Sequence, residues 1–116
     1  MEIALETDGP VALVRVTGEA AHADRVSLGQ YLRVARENGA VRAIVDLSLC
    51  PSVTTTVVSL LLNEAAAFAA AGGALTLAGV DDQNPFLLRA VEDGTLRHHR
   101  TVAEGAEAER KLASGP

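Results

Sequence analysis

Residues 45–62 read VDLSLCPSVTTTVVSLLL, and what they become decides the fold. The stretch begins as the end of a buried strand, because Val45 and Leu47 close the β-branched, apolar run VRAIVDL (41–47). It finishes as a buried helix, TTTVVSLLLNEAAAFAAAGG, apolar on most sides, expected to pack on the sheet through Val58, Leu61, Leu62 and Ala65, and stopped by Gly72-Gly73. Between the two lie Cys50, Pro51, Ser52 and three consecutive threonines, so that five small polar residues, Ser52, Thr54, Thr55, Thr56 and Ser59, surround the helix start. Hydroxyl side chains cap helices because their oxygens accept from first-turn N–H groups that have no partner. One cap is enough, and consecutive β-branched threonines are poor helix formers, so capping leaves the run unexplained. The carboxyl end of a central strand is also where open α/β sheets place their sites. A phosphate added to a hydroxyl there would bring strong negative charge to a fixed surface.

Outward from this junction the elements alternate. IALE (3–6) and VALVRV (11–16) are strands, and the turn residues Asp8-Gly9-Pro10 between them predict a hairpin. Residues 23–38 form a helix with Leu28, Tyr31, Leu32 and Ala35 on one face, ended by Asn38-Gly39. After the junction helix comes the strand ALTLAGV (74–80). Asn84 then caps a Pro-led helix, PFLLRAVEDG (85–94). LRHHR (96–100) is a short edge strand, and TVAEGAEAERKL is a final helix opened by Thr101 and Glu104 in capping-box spacing. The tail ASGP is expected to fray. The order predicts an α/β fold: a mixed sheet with an N-terminal hairpin and a parallel centre, and about four helices packed on it. With no internal repeat and no long linker, the chain reads as one domain over 1–116.

Composition narrows the function classes. Apolar residues make up 48% of the 116 and aromatics 3%, so the core is aliphatic and no stacking platform for bases is available. A net charge of −5 without a basic run argues against nucleic acid. The longest apolar run is interrupted by Ser59, Asn63 and Glu64, which argues against membrane insertion. Met1 leads straight into EIALETDGPVALVRV, so a cytoplasmic protein is expected. The lone Cys50 reads as a small buried hydrophobe, since a reactive thiol needs a neighbouring cation or an exposed helix start. Gly72-Gly73 precedes a strand, the wrong side for a phosphate loop. His98 and His99 point to opposite faces of their strand, with His22 far off in sequence, so a solvated edge is a better reading than a metal site. Asp81, Asp82 and Asn84 read as a polar turn, and no spacing suggests a catalytic triad.

On these elements the chain resembles the STAS domain family, in particular the bacterial anti-sigma factor antagonists. VTGE (16–19) is similar to the end of the family's second strand, AIVDLS (43–48) to its central strand, and AAAGGALTLAGV (69–80) to the helix end and the strand after it. The resemblance covers about residues 3–113. The family's signature after the central strand is an apolar residue, then Asp-Ser-Ser/Thr-Gly, then a hydrophobic helix. Here Val53 takes the apolar place, Thr54 that of the aspartate, Thr55 that of the phosphorylated hydroxyl, Thr56 that of the second hydroxyl and Val57 that of the glycine. Leu60, Leu61 and Leu62 continue the helix. The chain departs from the signature at Thr54, which lacks the charge, and at Val57, which is bulky where glycine admits a partner's backbone.

The resemblance implies a binding module that catalyses nothing and needs no cofactor. Its partner would be an anti-sigma factor with a serine/threonine kinase fold, engaged through Ser52, Thr54, Thr55, Thr56, Val57 and Ser59. Binding would free a sigma factor for transcription, and phosphate on Thr55 would break the complex. Two alternatives remain: a STAS module without a phospho-switch in a larger signalling assembly or a lipid transport system, and a small-ligand or nucleotide-binding STAS domain. A weak homodimer is also open.

Overall fold

The structure is a computed structural model that describes residues 1–114. The expected frayed tail is described only in part: Ser114 closes the last helix, with its N–H donating to the Arg110 carbonyl, and residues 115–116 lie outside the described residues. Strands β1 (Glu2–Asp8) and β2 (Val11–Thr17) form the hairpin. A 3-10 turn at His22–Asp24 leads into α1 (Arg25–Glu37). Then follow β3 (Arg42–Leu49), α2 (Thr55–Ala70), β4 (Ala74–Ala78), α3 (Pro85–Glu92), β5 (Arg97–His99) and α4 (Val102–Ala113).

The five strands lie in sequence order, β1-β2-β3-β4-β5, antiparallel in the hairpin and parallel from β2 onward. The central strands are buried on both faces, which is why their sequences are nearly unbroken apolar runs. Side-chain alternation divides the core. Val14, Val45 and Leu77 align across the sheet and face α1, α2 and α3 through Leu28, Leu32, Leu61, Phe68 and Leu87. Val11, Ile44 and Ala78 point the other way, onto α4.

Two face assignments shift. Tyr31 is 38% exposed, because it stands about 60° around the helix from Leu28, at the margin of the buried stripe of Leu28, Leu32 and Ala35. In α2 the buried stripe is Val57, Val58, Leu61 and Phe68, with Leu62 and Ala65 only half-buried. It is rotated by roughly 50° from a stripe centred on Val58, Leu61, Leu62 and Ala65. The large Phe68 draws the helix toward its own side, where the Arg36 guanidinium stands 5.6 Å over its ring.

Under α4 lies a charged cluster. Glu109, 2% exposed, accepts from Arg42 Nε at 2.9 Å and stands 3.4 Å from His99 Nε2. The solvated-edge reading therefore holds for His98 and fails for His99, which is half-buried beneath Gly105. A Cβ at Gly105 would sit 2.9 Å from the His99 ring.

Candidate functional site

The junction is zipped to the loops on either side of it. On one side Gly18 N–H donates to the Leu49 carbonyl (3.0 Å), Ala20 N–H to the Ser52 carbonyl (2.9 Å), and Thr54 N–H returns to the Ala20 carbonyl (3.0 Å). Ala20 and Val53 thus form one parallel bridge beyond the end of the sheet. On the other side Asn84 does two jobs. Its Oδ1 accepts from the N–H groups of Phe86 (2.7 Å) and Leu87 (3.3 Å) and so caps α3, while its Nδ2 donates to the Val53 carbonyl at 2.7 Å. Gln83 adds donations from Nε2 to the Leu47 (3.2 Å) and Gly79 (3.0 Å) carbonyls. Gly79 has φ +70°, and a Cβ there would sit 2.6 Å from Ser48, so this crossing of β3 and the β4–α3 loop needs glycine.

This clamp sorts the junction side chains. Cys50, Val53 and Val57 point into the core, Ser52 is half-buried, and Thr54, Thr55, Thr56 and Ser59 face solvent. Burial pushes the Cys50 thiol up from its ordinary pKa, and its Sγ donates to the Ser52 carbonyl at 3.3 Å, as fits a small apolar residue. Val57 is 1% exposed and offers no surface, which corrects the expectation that it stands among the partner-binding residues.

Thr54 is the N-cap of α2, yet its side chain makes no capping bond. Its hydroxyl instead stands 3.3 Å from that of Thr56, and Thr56 Oγ1 lies 2.9 Å from His22 Nδ1. Among the described residues the Thr55 hydroxyl has no such partner. The first turn of α2 is a ridge between two grooves. One, of about 490 Å³, runs between α1 and α2 and includes Thr56 and Ser59; the other, of about 230 Å³, runs between α2 and α3 and includes Thr55 and Ser59. Exposed apolar side chains wall both: Val26 (61%) in the first and Phe86 (56%) in the second. Leu49, 66% exposed, ends β3 nearby.

No protein-family model and no curated protein matches the chain. Solved structures do. SpoIIAA, an anti-sigma factor antagonist, aligns in its unphosphorylated form over 95% of this chain and 97% of its own, at 17% identity and a TM-score of 0.79. An anti-sigma factor antagonist from Mycobacterium paratuberculosis aligns over 94% and 93%, at 17% identity and a TM-score of 0.76. This chain has the STAS fold of the anti-sigma factor antagonists. The phosphorylated form of SpoIIAA, a Bacillus cell fate determinant, shares that STAS fold with a TM-score of 0.72, at 15% identity over 92% and 98%. In this fold the threonine ridge lies just beyond the carboxyl end of the central strand, at the start of α2. His22, Val26 and Phe86 join it only through tertiary packing. His22 lies just before a predicted helix, Val26 and Phe86 read as ordinary helical residues, and Asn84 signals a cap but not its reach to Val53. Among the described residues no helix is long and apolar enough to cross a membrane.

Proposed function

We propose that this chain is an anti-sigma factor antagonist: one STAS domain that binds a kinase-fold anti-sigma factor in the cytoplasm, releases a sigma factor, and is itself released by phosphorylation of Thr55. The observation that carries this reading is the ridge. Three threonine hydroxyls stand exposed on the first turn of α2, held by backbone bonds from both neighbouring loops, and flanked by exposed apolar side chains. Exposed apolar groups beside an ordered polar ridge are what a protein partner buries. The inward turn of Val57 supports it further, since no side chain there obstructs the partner's approach. The resemblance in register supports Thr55 as the acceptor, and its hydroxyl is the one of the three left out of the Thr54–Thr56–His22 chain. A dianion at the start of a 16-residue helix is tolerated by the unpaired N–H groups there, so phosphate would alter the surface and spare the fold.

The test is incubation with a kinase-fold anti-sigma factor and ATP, followed by mapping of the modified residue. One phosphate on Thr55 is expected. Thr55→Glu should weaken partner binding by about 5–150-fold, the range of a regulatory coupling, while Thr55→Ala still binds. A partner that holds Thr55→Glu as tightly as the native chain refutes the switch.

A further inference from the structure

Gly29 sits in the middle of α1 with ordinary helical geometry, where glycine weakens a helix. Nothing in the backbone or the packing demands it there. Its φ is not positive, and a Cβ would meet Leu60 Cδ1 at 3.4 Å, the near edge of ordinary contact. What a side chain at this position would take away is the floor of the α1–α2 groove.

The charges of that groove are unusual for a chain of net charge −5. Its one carboxylate, on Glu64, is held by Arg36 at 3.2 Å. Arg25 has no ion-pair partner among the described residues, and Arg33 meets Glu37 only at 3.9 Å with both side chains exposed, a contact of little strength. The groove therefore presents two guanidinium groups along α1, Arg25 unpaired among the described residues and Arg33 only weakly paired, with exposed Val26 and half-buried Leu60 between its walls. Its lining spans residues 25–33 of α1 and 56–64 of α2, a length of about 12 Å or two helical turns. A bare floor, an apolar stripe and a cationic wall over that length fit a helix with apolar residues along one face and carboxylates beside them.

We propose that the α1–α2 groove receives an acidic amphipathic helix of the protein that docks on the threonine ridge. This rests on the partner-binding reading of the ridge and names the chemistry of the partner's contact. The groove can be probed without that partner. A capped helical peptide with leucines on one face and glutamates beside them is titrated into the isotope-labelled chain, in parallel with a peptide in which lysines replace the glutamates. The acidic peptide should bind saturably and shift the amides of 25–33 and 56–64, and the basic one should not. Arg25→Glu combined with Arg33→Glu should lower that affinity by at least about tenfold and admit the basic peptide. Gly29→Leu, which improves helix propensity and so keeps the fold, should also lower it by at least about tenfold by filling the floor. Equal binding of both peptides, no binding of the acidic one, or an unaffected Gly29→Leu variant overturns the proposal. So does self-association that the double arginine variant abolishes, which would assign the groove to a second copy. If Thr55→Glu leaves partner binding unchanged while the peptide result holds, the switch fails and the groove stands; the reverse pair of results sinks the groove alone.

Discussion

Asn84 is the residue on which the site's geometry depends most, and its loss has a magnitude that can be worked out. It is 7% exposed and joins two structures: its Oδ1 caps α3, and its Nδ2 holds the Val53 carbonyl, one residue before the N-cap of α2. Asn84→Ala removes both bonds. Loss of an Asn cap costs roughly 0.5–2 kcal/mol. Leaving the Val53 carbonyl without its donor in a buried setting costs roughly 1–3 kcal/mol. The expected loss is therefore about 1.5–5 kcal/mol, which lowers the melting temperature of a domain this size by roughly 6–20 °C. Asn84→Asp keeps the acceptor that caps α3 but removes the donor and sets a carboxylate oxygen against the Val53 carbonyl, so the roughly 1–3 kcal/mol of the tether is the least it should lose. The assay is urea denaturation with native-state hydrogen exchange. In both variants the amides of Val57 and Val58, which donate to the Thr54 carbonyl, should lose protection beyond the global change. If Asn84→Asp is as stable as the native chain and those amides stay protected, the tether has no energetic role and the clamped-ridge argument is wrong.

Leu61→Asp should cost about 3–5 kcal/mol by burying an unpaired charge at a position with no exposure, and unchanged stability in denaturant would refute the α2 face assignment. Glu109→Ala should cost up to about 3–5 kcal/mol, because it leaves the largely buried Arg42 guanidinium without its partner. A loss below about 1 kcal/mol by the same measurement would mean that the cluster under α4 is neutral to stability. Cys50 should resist a thiol-specific disulfide reagent in the native chain at neutral pH and react at once in denaturant, since burial raises its pKa and shields the sulfur. Rapid native labelling would contradict the burial of Cys50.

The β-branched, apolar run of 41–47, the stop at Gly72-Gly73, the Asn84-Pro85 start and the Thr101 cap were legible in the sequence, and each became the element it predicted. These signals are local: they depend on backbone conformation and on which side chains a single strand or helix can bury. The order of elements then leaves few topologies, because parallel crossovers are right-handed and short. The junction was legible as a place, since too many hydroxyls stood at a strand end for capping alone. Its arrangement was not. Whether Val57 faces a partner or the core depends on a rotation of α2 by half a residue step, set by Phe68 and the sheet beneath it. The His22–Thr56 bond, the hold of Asn84 on Val53 and the Arg42–Glu109–His99 cluster join residues 31 to 67 positions apart, or meet across β5 and α4. No spacing rule reaches so far. Such contacts exist only once burial of the aliphatic core has fixed how the helices lie on the sheet, and that packing decided which of the junction's side chains remain on the surface.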